Sequence, residues 1–154
     1  MISIHTRKPY IRKVSKKRII KVAEEALSVM QPGYIFDLTI IVCSDPEITR
    51  INKNYRHLDQ PTDVLSFTND VIDPDTKSRN LGDIVISYDT ASKQAHQAGN
   101  DPQTEIDMLV IHGVLHLLGF DHDNKAQKMI MWKNQYKLHE RLGISVNSLP
   151  GEND

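Results

Sequence analysis

Apolar and polar residues follow one another along this chain in patterns that predict four strands and five helices. Alternation over residues 2–6 predicts a short strand, and apolar-rich stretches at 38–43, 63–68 and 83–88 predict three more. Apolar residues at helical spacing predict helices over 14–30, from 44 onward, over 89–98, from 101 to 118 and over 123–142. The chain therefore mixes both kinds of element throughout its length.

Short polar signals predict where these elements begin and where the chain is irregular. Ser44 with Glu47 forms a capping-box pair, and Asp89 and Asp123 stand where they could cap the helices that follow them. The stretch from Asn69 to Gly82 is polar and contains a proline, which predicts the longest loop and a candidate mobile element beside a site.

Two helices differ in how their apolar residues are distributed. From Met108 to Leu118 almost every residue is apolar, which predicts a helix buried on all sides. In the last helix, Met129, Trp132 and Tyr136 share one face, which predicts that this face packs on the core. Residues 145–154 are expected to form a frayed tail.

The composition is that of an ordinary globular protein, with 154 residues, 39% hydrophobic and 25% charged. This length predicts one domain over residues 1–154. The single cysteine, Cys43, excludes an internal disulfide framework. No run approaches the roughly 18 to 20 apolar residues of a membrane span, and residues 1–7 lack the apolar core of a signal peptide. These observations predict a cytoplasmic protein.

The net charge of −1 gives no hint of a nucleic-acid partner, but the basic residues are unevenly placed. Eight of them lie between Arg7 and Lys21, and no acid precedes Glu24. Such a cluster is either an electrostatic footprint for phosphate or the solvated face of an amphipathic helix, and the sequence leaves both interpretations open.

Three of the seven histidines lie within eleven residues. His112 and His116 are four apart and therefore share one face of the buried helix. Gly119 can end that helix in a left-handed turn, and His122 follows the turn. Two buried imidazoles without partners would cost roughly 1 to 3 kcal/mol each, whereas a metal ion satisfies both. Three nitrogen ligands leave a tetrahedral ion one open position, which is typical of a catalytic site.

The spacing His-x-x-x-His-x-x-Gly-x-x-His is the one by which metzincin proteases bind zinc, but their glutamate general base is missing. Gly113 occupies its position. A peptidase would need an acid from elsewhere in the chain, with Asp83 and Asp107 as candidates. The pattern therefore favours a metal hydrolase that uses other catalytic groups.

A phosphodiester substrate would call for a planar, permanently charged guanidinium, and Arg56 is the candidate. The alternative for Arg56 is a surface ion pair with Asp59. Asp121 could orient a ligand imidazole or serve only as a turn or capping residue. The other four histidines lack ligand spacing and are interpreted as surface or structural residues.

Three blocks of residues together resemble the YbeY family of single-strand-specific endoribonucleases. They are Tyr55-Arg56 with Asp59-x-Pro61-Thr62-Asp63-Val64-Leu65-Ser66-Phe67, then Leu81-Gly82-Asp83-Ile84-Val85-Ile86-Ser87, then His112-Gly113-x-Leu115-His116-Leu117-Leu118-Gly119-Phe120-Asp121-His122. The sequence departs from the family at Phe120, where tyrosine is common.

The resemblance implies an α+β fold with a small mixed β-sheet packed with helices, related to the zincin proteases. It also implies one zinc ion on His112, His116 and His122, although nickel or another divalent ion would suit the same ligands. Arg56 corresponds to the family's functional arginine.

The implied function is a zinc-dependent endoribonuclease in small-subunit rRNA maturation and ribosome quality control. The implied partners are single-stranded RNA, the small ribosomal subunit, a small-subunit ribosomal protein and the GTPase Era. A metalloprotease-like peptidase and a non-catalytic, ribosome-associated zinc-binding protein remain as alternatives.

Overall fold

Four strands and five α-helices make up residues 1–144, the part of the chain that the computed structural model describes. In chain order they are β1 (Ile2–Thr6), α1 (Lys16–Met30), β2 (Phe36–Cys43), α2 (Asp45–Arg56), β3 (Val64–Ile72), β4 (Arg79–Ser87), α3 (Tyr88–Ala98), α4 (Pro102–Leu117) and α5 (Lys125–Leu142). The predicted frayed tail, residues 145–154, lies outside the described residues. Among the described helices, none is both long and apolar enough to cross a membrane.

The four strands form one mixed sheet in the order β1-β2-β4-β3. The first three are parallel to one another, and β3 runs antiparallel to β4. Because β3 is paired only on its β4 side, it is an edge strand. The α+β class and the small mixed sheet expected from the sequence are confirmed, and the arrangement is consistent with a zincin-like metal hydrolase fold.

The two faces of the sheet carry cores of different size. Ile84 and Ile86 of β4 belong to the large core, which includes the apolar faces of α1 and α4. Val85, which points to the opposite face, packs with Ile48 of α2 and Leu65 of β3 in a smaller core. As a result, α4 and α2 lie on opposite faces of the sheet.

Helix α4 is the buried helix that its sequence predicts, because residues 105–115 are all buried. Asp101 caps its N-terminus by accepting a hydrogen bond from the backbone N–H of Thr104. At Gly113 the helix lies so close to the sheet that an added Cβ would be 2.9 Å from Cδ1 of Ile84. Glycine at this position therefore allows α4 to approach β4.

Two helix caps predicted from the sequence are wrong. Ser87, not Asp89, caps α3, and Asn124, not Asp123, caps α5. The Asp89 carboxylate instead accepts hydrogen bonds from the Tyr10 hydroxyl and from the backbone N–H of Asp45, both at 2.9 Å. The Asp89 side chain therefore hydrogen-bonds to distant segments of the chain and does not cap its own helix.

The predicted loop from Asn69 to Gly82 is also wrong, because this stretch forms a β-hairpin. Strand β3 continues to Ile72 through an irregularity between Thr68 and Val71, where Asp70 has a positive φ of 56°. The hairpin closes over residues 73–78, and the Asp73 carboxylate accepts hydrogen bonds from two backbone N–H groups of that turn. The polar sequence of the hairpin fits its exposure, since residues 68–77 are all exposed.

The face on which α5 packs also differs from the prediction. Met129 and Tyr136 are exposed, and the buried residues of the helix are Met131, Gln135, Leu138 and His139. A glutamine and a histidine thus lie on the side of α5 that meets the rest of the chain, and the glutamine contributes to the site described below.

Candidate metal centre

The three histidines of the predicted ligand set come together at the C-terminal end of α4. His112 and His116 lie one helical turn apart, with 3.0 Å between their Nε2 atoms. Gly119, at a φ of 101°, turns the chain after the helix and brings His122 back toward them. The potential ligand atoms of the three residues all lie within 4.8 Å of one another.

These distances fit one bound metal ion. Zinc–nitrogen bonds of about 2.0 to 2.1 Å in a tetrahedral site imply ligand atoms roughly 3.3 to 3.4 Å apart. The 3.0 Å between Nε2 of His112 and His116 and the 4.8 Å limit for the set bracket that value. The three ligand atoms are therefore already close to the spacing that one ion requires.

Gln135 of α5 fixes the orientation of the first imidazole, and sequence reasoning missed it. Its Oε1 lies 2.6 Å from Nδ1 of His112, in a fully buried contact. Because a carbonyl oxygen can only accept a hydrogen bond, Nδ1 of His112 carries the proton. The lone pair of its Nε2 therefore faces the other two histidines. The sequence signal was a glutamine spaced with Met131 and Leu138 at helical intervals, which is an unusual residue on an apolar face.

Burial favours the neutral form of the His116 imidazole. Burial, reinforced by the neighbouring His112 and His122, lowers the pKa of His116 to about 4. Neutral imidazole is the form that binds metal. Asp121 does not hydrogen-bond to His116, because its carboxylate lies 3.9 Å from Nδ1; it accepts a hydrogen bond from the backbone N–H of His122 at 2.8 Å. Asp121 thus shapes the turn that carries the third histidine.

The histidines open into a cleft of about 420 Å³. Its walls are formed by Arg56, Thr62, Asp63, Val64, Ser66, His112, His116, Asp121, His122 and Asp123. Helix α2 packs on the sheet face opposite α4 and ends at Arg56. Because Arg56 nevertheless lines the cleft, its side chain reaches the cleft past the edge strand β3. The alternative of an ion pair with Asp59 is not formed: Asp59 lies 3.8 Å from Lys53. Within residues 1–144, no carboxylate lies within 4.0 Å of the Arg56 guanidinium.

Neither acid suggested as a peptidase base lines the cleft. Asp83 is exposed and points away from the face that α4 covers, because its neighbour Ile84 packs on α4. Asp107, whose carboxylate is buried, forms an ion pair with the partly exposed Arg18 at 2.9 Å. The two acids that the sequence suggested as a peptidase base are therefore not part of the cleft.

Comparison with known proteins places this chain in a family. The sequence profile described as "Endoribonuclease YbeY" matches residues 2–143. The chain belongs to the YbeY family. It is 42% identical over 117 residues to an Aquifex aeolicus protein named endoribonuclease YbeY, covering 76% of each chain. It is 36% identical over 146 residues to the Dehalococcoides mccartyi protein of the same name, covering 87% of this chain and 88% of the relative.

A solved structure supports the same fold. The solution structure of a Thermotoga maritima protein superposes with a TM-score of 0.60 at 27% identity, covering 93% of this chain and 90% of that one. The resemblance drawn from three blocks of sequence is therefore confirmed as membership of the YbeY family. In the structure, residues of the first and third of these blocks line the cleft.

A partly buried acidic network backs the cleft in this YbeY-family chain. The Asp63 carboxylate accepts hydrogen bonds from the backbone N–H of Val64 and from the Thr62 hydroxyl. With its amide nitrogen turned toward the acids, Gln94 donates to Asp63 at 3.3 Å and to Glu105 at 3.2 Å. Burial raises the pKa of Asp63 and, with the nearby Asp63 charge, raises that of Glu105 to about 7. Asp63 is thereby held in place at the wall of the cleft.

The basic cluster from Arg7 to Lys21 lies away from this cleft, and none of its side chains lines it. Two of its members form ion pairs with distant segments of the chain. Arg7 pairs with Glu47 at 2.9 Å, and Arg18 pairs with Asp107. At least part of the cluster is therefore structural.

Proposed function

We propose that this chain is a metal-dependent endoribonuclease that hydrolyses single-stranded RNA in the cleft at His112, His116 and His122. Membership of the YbeY family supports the endoribonuclease activity. One structural observation supports this use of the cleft: the Arg56 guanidinium, without a carboxylate partner among the described residues, faces the same space as three convergent imidazoles.

The ion that we propose is zinc, held by the three histidines. When bound, such an ion acts as a Lewis acid that polarises water and a phosphoryl oxygen. Its charge is also needed to attract the substrate. The cleft wall carries three carboxylates, from Asp63, Asp121 and Asp123, against the single guanidinium of Arg56. Without a cation this surface is net negative and would repel a phosphodiester.

Arg56 is proposed as the catalytic residue. Negative charge grows on the non-bridging oxygens of a phosphodiester as it is attacked, and a planar guanidinium can donate two parallel hydrogen bonds to them. Because Arg56 and the histidines line the same cleft, substrate would be held between the guanidinium and the imidazoles. Asp63 has a different role in this proposal: its part-buried hydrogen bonds fix the chain between α2 and β3.

We further propose that the substrate is rRNA and that the chain acts in maturation of the small ribosomal subunit, in the cytoplasm. A small-subunit ribosomal protein and the GTPase Era are the partners expected from the family resemblance. Basic residues that form no ion pair within residues 1–144, such as Lys16 and Lys17, could add affinity for RNA, and that affinity would weaken as salt is raised.

The test is cleavage of a single-stranded RNA oligomer by the purified chain. His116→Ala and chelation of the metal should abolish cleavage, and Arg56→Ala should lower kcat by about 100- to 1,000-fold. Arg50→Ala is the matched control, because Arg50 is an exposed arginine of the same helix and does not line the cleft. Equal cleavage by all samples would mean a contaminating nuclease and would refute the proposal.

Metal analysis completes this experiment. One ion per chain, lost in His116→Ala but retained in Arg56→Ala, is the expected result. Full metal content with no cleavage of RNA by the wild-type chain would instead support a non-catalytic, metal-binding role. Cleavage of a peptide, abolished by chelation, would support the peptidase alternative.

A further inference from the structure

Tyr55, next to the proposed catalytic arginine, is an exposed aromatic residue. It lies in the last turn of α2, and 70% of its surface is open to solvent. Large aromatic side chains are normally buried for most of their area, so an open ring beside a site invites a functional explanation. The catalytic proposal itself makes no use of this ring.

The Tyr55 ring is held by a contact with β3. Its centroid lies 5.3 Å from that of Phe67, and the two planes meet at 60°, in an edge-to-face arrangement. Phe67 is itself packed against the smaller core formed with Ile48 and Leu65. The Tyr55 ring is thus supported from one side by the folded chain while most of it remains open.

The ring and the cleft lie on the two sides of the same edge strand. Ser66 lines the cleft, and Phe67, the next residue, points to the opposite face of the sheet. Helix α2 repeats this arrangement, because Arg56 lines the cleft and Tyr55 contacts Phe67. The Cα atoms of Tyr55 and Arg56 are only about 3.8 Å apart. In the part of the chain that is described, no strand lies beyond β3 to separate the two sides.

We propose that Tyr55 is a stacking site for one nucleobase of the RNA strand whose phosphate is held by Arg56. This inference rests on the proposed function and adds to it a residue that determines specificity. A strand crossing the free edge of β3 would place its phosphate on the cleft side and an adjacent base on the ring. Stacking between a base and an aromatic side chain is favourable for every base, since each has a π-face.

This arrangement accounts for a preference for single strands. In a duplex both faces of an internal base are covered by its neighbours in the stack, so such a base cannot also stack on Tyr55. A base in a flexible single strand can rotate away from its neighbours at a smaller cost. The stacking site would therefore select unpaired nucleotides without reading their sequence.

The experiment compares variants of Tyr55 on a single-stranded RNA oligomer, using the full chain with its metal. Tyr55→Leu keeps an apolar contact with Phe67 but removes the ring, and Tyr55→Phe keeps the ring but removes the hydroxyl. Tyr34→Ala is the matched control: Tyr34 is 66% exposed, its ring lies 6.1 Å from that of Phe36, and it does not line the cleft. Thermal unfolding of each variant checks that its fold is retained.

We expect Tyr55→Leu to raise KM by roughly 5- to 100-fold, with a smaller change in kcat, because stacking contributes to binding. Tyr55→Phe and Tyr34→Ala should stay within about twofold of the wild-type KM, since neither removes the stacking ring. An RNA with a single abasic ribose, moved along the strand, should show the same loss at one position next to the cleaved bond. Tyr55→Leu should lose nothing further with that abasic substrate.

Three results would overturn the inference. One is equal KM values for Tyr55→Leu and Tyr34→Ala. Another is a loss in Tyr55→Phe as large as that in Tyr55→Leu, which would assign the effect to the hydroxyl. The third is independent, multiplying losses from Tyr55→Leu and the abasic site. If the proposed function is wrong, cleavage will be insensitive to chelation and to Arg56→Ala. Even then the stacking site can be tested, because binding of single-stranded RNA that does not depend on Tyr55 would refute it.

Discussion

The buried hydrogen bond between His112 and Gln135 leads to a prediction about metal affinity. Gln135→Met replaces the amide with an unbranched side chain of similar length and removes the acceptor that lies 2.6 Å from Nδ1. The imidazole then loses the contact that sets its tautomer and its ring angle. Because His112 is buried at the base of the cluster, a reoriented ring would present its Nε2 poorly to the ion.

The size of the effect follows from two separate contributions. Loss of the residue that orients a metal-binding histidine typically weakens metal affinity about 10- to 100-fold, which corresponds to roughly 1.4 to 2.7 kcal/mol. The metal-free chain should also be less stable. A hydrogen bond broken where Gln135 is fully buried costs about 1 to 3 kcal/mol, because the donor loses a partner that water does not readily replace.

Both contributions can be measured. Competition with a chromophoric chelator gives the metal dissociation constant, and urea unfolding of the metal-free chain gives the free energy of unfolding. Gln127→Met is the matched control, because Gln127 is an exposed glutamine in the first turn of the same helix. Gln135→Glu retains an acceptor and should bind metal better than Gln135→Met. If Gln135→Met binds metal as tightly as the wild type, then Gln135 does not orient the ligand and this reasoning is wrong.

Three further predictions concern stability. In Gly113→Ala the new Cβ would lie 2.9 to 3.1 Å from three carbons of Ile84, so overpacking of about 1 to 3 kcal/mol should exceed the roughly 1 kcal/mol gained in helix propensity. Ile84→Val should recover part of this loss in the free energy of unfolding. Urea unfolding that finds no coupling between the two substitutions would contradict the contact. Burial raises the pKa of Glu105 to about 7 from an ordinary 4.5, so the folded chain keeps a proton that the unfolded chain releases. The wild-type chain should therefore lose about 1 to 3 kcal/mol as pH rises from 4.5 to 7, a slope that Glu105→Gln should lack; equal slopes in the two proteins would refute this assignment. Arg18→Met removes the partner of the buried Asp107 carboxylate and should lower the free energy of unfolding by about 2 to 3 kcal/mol. Lys17→Met, in the same basic cluster, should change it by less than about 0.5 kcal/mol. Similar losses in both variants would show that the ion pair is not structural.

The parts of the fold that could be predicted are those set by local periodicity. The apolar run of α4, the proline and aspartate that begin it and Gly119 at its end are all local signals, and each acts as expected in the structure. Because helical spacing fixes where His112 and His116 point, the core of the candidate site was also predictable. The third histidine follows from the glycine turn.

The parts that were not predictable depend on contacts between distant segments. The hairpin from β3 to β4 is polar and locally resembles a loop, but its backbone is held by pairing along a strand whose other half is apolar. Asp89 is an adequate helix cap in sequence, yet Tyr10 and Asp45 recruit its carboxylate for a different role. Gln135 is an ordinary helical residue until α5 packs and brings it to the imidazole of His112.

Arg56 lies between these two cases. Its sequence neighbourhood identified it through family resemblance, but periodicity alone allowed an ion pair with Asp59. The structure separates these two possibilities, because Asp59 forms its ion pair with Lys53 of the preceding turn and Arg56 lines the cleft. The decisive information is the path of the chain around the edge of the sheet, which no local pattern contains.

The contact between Gly113 and Ile84 also has an evolutionary consequence. A peptidase of the metzincin type needs a glutamate at this position, yet even the first carbon of that side chain would overlap an isoleucine of the sheet. A smaller residue at 84 would relieve this overlap, but it would leave a void against the metal-binding helix for as long as glycine persisted. Either substitution made alone is therefore expected to lower the stability of this chain, so selection for stability would tend to keep this cleft away from peptide chemistry.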